Sequence, residues 1–166
     1  MKLINAILPV PARSLACSLA LLAALVAGAP AQAESQPRFG YSGDGSHVTD
    51  AKTGLTWQRC SLGQSWDKGT CTGTASQHTE KQAAALGKAL AGWRLPTVKE
   101  LATLVDTSRG IPTIDSQAFP ATPAGWFCTA SPYLGSASLA WFVSFEHGHS
   151  SPLSHDQRQH IRLVHK

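Results

Sequence analysis

Apolar and polar residues alternate between residues 47 and 58, and this pattern predicts a β-hairpin with one buried face. Leu55 and Trp57 are apolar, and their neighbours Thr56 and Gln58 are polar. Residues 50–54 lie between the two predicted strands and have the composition of a turn.

Two segments instead have the spacing of amphipathic helices. The first covers residues 76–91 and is followed by Gly92, a residue typical of helix C-termini. Its narrow apolar stripe consists of Ala83, Leu86 and Leu90. The second helix follows Thr97, which forms a capping-box pattern with Glu100 three residues later. Its apolar face consists of Val98, Leu101, Leu104 and Val105.

The last third of the chain predicts loops followed by strands. Residues 108–138 are rich in Pro, Gly, Ser and Thr, which favours ordered loops over long regular elements. Residues 140–145 and 161–164 are predicted strands, and residues 146–149 form the turn after the first of them. The order of elements predicts a loop-rich α+β fold with a mostly antiparallel sheet and two helices.

The N-terminus has the features of a cleavable signal peptide covering residues 1–33. Lys2 and Arg13 precede or flank an apolar run, and Ala31 and Ala33 supply the small residues of a cleavage site. Residues 34–46 are polar and Gly-rich and predict a flexible lead-in, so residues 47–166 form the single predicted domain. We therefore expect an exported protein, periplasmic, at the cell surface or secreted, with no membrane span after cleavage.

Charge argues against one class of partner. The formal net charge of the chain is +4, and no two Lys or Arg residues are adjacent. Nucleic-acid-binding domains usually carry a dense basic patch, so we expect no nucleic acid partner.

Cys60 and Cys71 enclose a short Gly-, Ser- and Thr-rich loop and are predicted to form a disulfide in an oxidising compartment. The alternatives are two free thiols or a pair of metal ligands. Cys128 is then the odd cysteine, either a buried apolar residue or a thiol open to intermolecular pairing.

An ordered set of motifs resembles a known family. The motifs are VTDAKTGLTWQRC, GWRLPTVKEL, IPTIDSQAFP, the stretch from Trp126 to Tyr133, AWFVSFEHG and the terminal IRLVHK. Together they resemble DUF1566, also named the Lcl C-terminal domain after the Legionella collagen-like adhesin. The resemblance implies a C-type lectin-like fold and a bacterial exported protein.

The adhesin domain that gives the family its name is trimeric and binds sulfated glycans. The resemblance therefore implies a role in adhesion and allows a homo-oligomer. No collagen-like repeat precedes the domain here, and Cys128 stands near a position that normally carries an aromatic residue. These two departures leave the oligomeric state and the surface chemistry at that position open.

Several motif residues are expected to hold the fold. They are Trp57, Trp93, Arg94, Pro96, Glu100 and Trp141. Arg94 is expected to be buried and paired with Glu100, Asp106 or Asp115, because an unpaired buried charge costs several kcal/mol. Trp141 is expected in the core, since core packing is the commoner use of a tryptophan in a strand.

Candidate ligand-binding residues lie in the polar disulfide loop and in the His-rich C-terminal third. They are Trp66, His147, His149, Arg158 and Arg162. The His and Arg residues suggest anion binding that strengthens below about pH 6.5. A metal site built from His147 and His149 with His155 or Asp156 is the alternative, but the spacing matches no zinc motif, so no metal or cofactor is predicted.

We interpret the sequence as an exported, non-enzymatic binding module that recognises an acidic, sulfated glycan or another envelope ligand. The first alternative is a periplasmic protein-binding partner of the inhibitor or immunity type, bound to an envelope protein. The second is an enzyme using Cys128 with a histidine. No residue is predicted to be catalytic, because the chain has no recognised nucleophile or phosphate-binding motif.

Overall fold

The computed structural model describes residues 37–166, so the predicted signal peptide lies outside the described residues. The strands are β1 Phe39–Tyr41, β2 His47–Asp50, β3 Leu55–Gln58, β4 Ser65–Asp67, β5 Thr70–Thr72, β6 Trp126–Pro132, β7 Leu139–Ser144, β8 His149–Ser154 and β9 Val164–His165. The helices are α1 Glu80–Ala89 and α2 Val98–Ala102. Within this part of the chain, no helix combines the length and apolarity needed to cross a membrane.

All of the paired strands are antiparallel, which confirms the predicted mostly antiparallel α+β fold. One sheet has the order β1-β2-β3-β9, a second has the order β6-β7-β8, and β4 and β5 form a separate hairpin. The predicted hairpin is confirmed, with Val48 opposite Trp57 and Asp50 opposite Leu55. Val48 and Trp57 are fully buried, as the alternation requires.

The core lies on both faces of the β6-β7-β8 sheet, because successive side chains of a strand point to opposite faces. Phe127 and Val143 pack with Trp57, Leu101 and other residues of one apolar cluster. Their neighbours Cys128 and Phe142 pack into a second cluster, which includes Ala83, Leu95 and Ile161. The second cluster receives α1, and the first receives α2.

Both predicted helices form, and each begins at a capping box, of which the sequence predicted the one at Thr97. Thr79 caps α1 together with Gln82, and Thr97 caps α2 together with Glu100. The first helix is shorter than predicted, and Leu90 is 41% exposed rather than on the buried stripe. Gly87 takes the buried position instead, because a Cβ there would lie only 3.2 Å from the backbone nitrogen of Leu95.

Three expectations about the remaining chain were wrong. The supposed flexible lead-in contains β1, which is held because Arg38 forms a bidentate salt bridge with buried Asp50. The supposed loop region contains the seven-residue strand β6. Trp141 is only partly buried, because it lies beyond the core and packs against Tyr133 with ring centroids 5.5 Å apart.

The predicted C-terminal strand forms only in part, and its residues make backbone hydrogen bonds to several different segments. Only Val164–His165 forms a regular strand, paired with β3. Before it, Ile161 accepts a hydrogen bond from Leu62, and Leu163 accepts one from Gln58. Val164 also pairs with Arg94. The C-terminal segment therefore connects the GWRLP motif to the β2–β3 hairpin.

Candidate functional site

The predicted disulfide between Cys60 and Cys71 is present, with Cα atoms 5.4 Å apart. Cys71 lies in β5, and Cys60 follows β3 by two residues. The disulfide therefore links the β4–β5 hairpin to the end of the β2–β3 hairpin. Such a short closed loop removes conformational entropy from the unfolded chain.

The side chain of Trp66, in β4, is partly exposed and contacts the segment before β2. Its indole N–H donates to the carbonyl of Asp44 at 3.0 Å. The guanidinium of Arg59 stacks on the ring at 4.0 Å from the centroid and also lies 4.6 Å from the ring of Tyr41. One face of Trp66 is therefore occupied by the protein, and a ligand contact through the rest of the ring stays a prediction.

Arg162 was wrongly predicted to bind a ligand, because its side chain is completely buried. It donates to the carbonyls of Gln58 and Arg59 and to the hydroxyls of Ser61 and Thr122. No carboxylate pairs with it among the described residues, and burial lowers the pKa of its guanidinium to about 9. Arg162 therefore holds the loop around Thr122 against β3.

The remaining predicted ligand residues lie in two places. His147 and His149 surround Trp126, with His149 5.3 Å and His147 6.4 Å from it between ring centroids. Arg158 instead donates to the carbonyl of Gln77 at 2.8 Å, near the start of α1. Among residues 37–166, no three His, Cys, Asp or Glu side chains converge as a metal site would require.

Trp93, Arg94 and Glu100 lie closer to the surface than the sequence predicts, and their role in holding the fold stays a prediction. Trp93 lies between two imidazoles, 4.8 Å from His47 and 4.7 Å from His165. Arg94 donates to both carboxylate oxygens of Glu100, at 2.8 and 2.7 Å. The expectation that Arg94 is buried was wrong, since its side chain is 45% exposed. Pro96 beside it is buried.

Arg94 also separates two adjoining surface depressions that are rich in basic residues. One, of about 360 Å³, is lined by Arg94, Lys99 and Lys166 together with Glu100. The other, of about 300 Å³, is lined by Arg94 and Lys88. All four basic side chains are exposed. We call the surface formed by Lys88, Arg94, Lys99 and Lys166 the basic groove.

The charges of the basic groove are largely uncompensated. Among residues 37–166, Glu100 is the one carboxylate side chain that lines it. Both of its oxygens accept from Arg94, and one of them also accepts from the backbone N–H of Thr97. Hydrogen bonding to Arg94, followed in importance by the bond from Thr97, lowers the pKa of Glu100 to about 2 despite partial burial. Within the described chain, Lys88, Lys99 and Lys166 form no salt bridge.

The sequence pattern did not indicate this groove, because its basic residues come from three separate segments. Lys88 is in the last turn of α1, Lys99 is in α2, and Lys166 follows β9. The pairing of Val164 with Arg94 brings the last two segments together. The one available signal was the motif GWRLPTVKEL, which contains both Arg94 and Lys99.

Cys128 lacks the environment of a reactive cysteine. Its side chain is completely buried, and its sulfur lies 3.6 Å from the carbonyl oxygen of His78. Burial raises the pKa of the thiol to about 12, whereas reactive cysteines have lowered values. Of the two interpretations that the sequence left open, the structure favours a buried apolar residue.

The comparisons with known proteins give one match. The family model described as the Lcl C-terminal domain matches residues 46–165, which include the disulfide, both helices and most of the basic groove. Neither the curated proteins nor the solved structures gave a match. The match covers well over half of the chain and agrees with the resemblance carried by the motifs. The chain belongs to the Lcl C-terminal domain family, which is an adhesin-like family of extracellular domains.

Proposed function

We propose that this protein is an exported adhesion module that binds an acidic polysaccharide through the basic groove. The observation that carries the proposal is the convergence of four basic side chains, Lys88, Arg94, Lys99 and Lys166, on two adjoining depressions. In the described part of the chain, these depressions contain a single carboxylate side chain, which is already paired. Export to the periplasm, the surface or the medium is part of the proposal, as is a C-type lectin-like arrangement of the fold.

The shape of the groove suits an extended chain better than a small compact ion. The two depressions adjoin at Arg94, so a ligand can contact several cations in succession along their combined length. Repeated sulfate or carboxylate groups spaced along a polysaccharide provide such a series. The depression containing Lys88 is largely apolar in its walls, with Ala84, Leu95 and Ala130, and can receive the carbon skeleton of a sugar ring.

The exposure of these cations determines how strongly, and with what salt dependence, the groove can bind an anionic ligand. Exposed cations interact with anions through a medium screened by salt, with a Debye length of about 10 Å at 0.1 M. Each exposed pair contributes at most about 1 kcal/mol, so useful affinity needs several contacts at once. Binding should therefore be weak for monomeric sulfated sugars, stronger for polymers and sensitive to salt.

The test is retention of the mature chain on immobilised heparin in a salt gradient, with and without a chelator. We expect retention that salt reverses and that the chelator does not alter. The variant Lys88→Glu/Lys99→Glu should elute at clearly lower salt. The matched control, Lys68→Glu/Arg158→Glu, makes the same change of charge away from the groove and should elute close to the wild type.

Each other result has a clear meaning. Loss of retention in the control variant but not in the groove variant would move the site to the surface around Lys68 or Arg158. Loss on adding chelator would show that a metal is needed. Failure of the wild type to bind would contradict the polysaccharide proposal and direct attention to a protein partner.

A further inference from the structure

A second cleft, separate from the basic groove, lies between β1 and the loop that follows α2. It has a volume of about 400 Å³, which is within the range of small-molecule sites. Its lining includes Arg38, Tyr41, Leu104, Asp106, Arg109 and Asp115. Leu104 is buried and forms an apolar floor, while the polar side chains stand around it.

The two guanidinium groups of this cleft are held rigidly and still have hydrogen-bonding capacity. Arg38 binds both carboxylate oxygens of Asp50, at 3.0 and 2.7 Å, and the carbonyl of Thr103 at 2.8 Å. These bonds use Nε and Nη2, so Nη1 has no partner among the described residues.

Arg109 is fixed in the same manner. Its Nε donates to Asp106 at 2.8 Å and its Nη2 donates to Asp115 at 2.7 Å, which leaves Nη1 without a partner in the described chain. The cleft therefore offers preorganised N–H donors next to carboxylates that retain acceptor capacity.

The balance of charge around the cleft disfavours a strong preference for anions. The two guanidinium groups stand against three carboxylates, those of Asp50, Asp106 and Asp115, so the surroundings of the cleft carry a net charge of −1. Consistent with this, the pKa of Arg38 is raised, first by its hydrogen bond to Asp50 and further by Asp106 and Asp115. The basic groove has the opposite sign, so the two sites select different ligands.

Donors and acceptors placed side by side match hydroxyl groups, because each hydroxyl can accept from a guanidinium and donate to a carboxylate at once. Tyr41 supplies an aromatic surface at the edge of the cleft and is 52% exposed. Its ring is fixed by the guanidinium of Arg59, 4.6 Å from the ring centroid. Aromatic rings of this kind provide an apolar contact surface with a polar tip.

We propose that this cleft binds an uncharged sugar ring with adjacent hydroxyl groups, stacked on Tyr41 and hydrogen-bonded to Arg38 and Arg109. The inference is independent of the acidic-polysaccharide proposal, since it uses different residues and a ligand of different charge. A protein with both sites can recognise a neutral and an acidic component of one surface.

The test is a titration of isotopically labelled protein with single sugars, followed by NMR of the backbone amides. The probes are the neutral methyl glycosides of glucose, galactose, mannose, fucose and N-acetylglucosamine, together with glucosamine and glucuronate. We expect at least one neutral glycoside to shift amides in residues 39–41 and 106–117 at millimolar concentration. The glucuronate should bind at least several-fold more weakly than the matching glucoside.

Variants of the two tyrosines sharpen the test. Tyr41→Ala should weaken the binding about tenfold or more, and Tyr41→Phe should retain most of it, because the stacking surface is kept. Tyr133→Ala is the matched control, since Tyr133 packs against Trp141 outside the cleft, and it should bind as the wild type does.

Three results would overturn the proposal. The first is that no neutral glycoside shifts the cleft amides. The second is that only a charged sugar does so. The third is that Tyr41→Ala and the wild type bind equally well. The variant Lys88→Glu/Lys99→Glu distinguishes the two sites, since it should lose heparin binding and keep sugar binding. Heparin binding can thus fail without affecting this inference, and the reverse also holds.

Discussion

Replacing Glu100 with Gln should destabilise the fold and strengthen the binding of acidic polysaccharide. The carboxylate of Glu100 both pairs with Arg94 and completes the cap of α2 by accepting from Thr97. Gln keeps the cap, as Gln82 does at the equivalent position of α1, and removes the negative charge. The substitution thus isolates the ion pair from the capping interaction.

The size of the effect on stability follows from the pKa of Glu100. Its pKa falls from 4.5 to about 2, which corresponds to about 3 kcal/mol at most. Arg94 is 45% exposed, so solvent screening reduces the expected loss to about 1–2 kcal/mol. Because this pKa is depressed, the contribution is present above pH 4.5 and is lost as the pH falls through about 2.

The assay is urea unfolding of the wild type and of Glu100→Gln at neutral pH and at several lower values. The difference in unfolding free energy should be about 1–2 kcal/mol at neutral pH. It should decline as the pH falls below 4.5 and vanish below about pH 2, where Glu100 is protonated in the folded state as well. On immobilised heparin, Glu100→Gln should elute at higher salt than the wild type. A difference in stability that does not change with pH would refute the ion-pair reasoning, and earlier elution would refute the assigned site.

Further predictions concern the buried groups. Replacing Cys60 and Cys71 with Ser should lower the free energy of unfolding by about 2–3 kcal/mol, as measured by urea unfolding, because the disulfide closes a loop with a sequence separation of 11. Arg162→Ala should lower the free energy of unfolding by about 3 kcal/mol or more, because it leaves carbonyl groups unpaired and opens a cavity. Arg158→Ala should lower it by less than about 0.5 kcal/mol. Thermal unfolding would show whether the two variants differ. Cys128 should react with a thiol reagent only after unfolding, and rapid reaction in the native state would contradict its assigned burial.

The sequence predicts those parts of the fold that depend on local patterns. The hairpin containing Trp57 has strict alternation, and the helix after Thr97 has its capping box, so both form where expected. β1 and β6 were missed for a different reason. β1 is held by the salt bridge from Arg38 to Asp50, which are 12 residues apart, and β6 is held by pairing with β7. Neither interaction leaves a periodic signal.

The candidate site shows the same division between local and long-range information. The pair of Arg94 and Glu100 could be predicted, because the two residues are six apart and belong to one motif. The role of Arg162 could not, since an arginine between apolar residues of a strand has the same local signal whether its side chain is exposed or enclosed. The structure encloses it in oxygens from residues 40 to 104 positions away.

The basic groove also required the tertiary structure. Lys88 and Lys166 are isolated in the sequence, and only the packing of α1 and the C-terminal segment against the GWRLP motif brings them to one surface. A count of charges therefore underestimated the local density of positive charge. The predicted His-rich region, by contrast, is divided between the surroundings of Trp126 and the start of α1.

Binding of an acidic polysaccharide at the basic groove can be mapped by NMR with a short heparin oligosaccharide. We expect amide shifts concentrated around Lys88, residues 94–100 and Lys166, and we expect added salt to reverse them. Shifts concentrated around His147, His149 and Arg158 instead, or no shifts at low salt, would contradict binding at the groove.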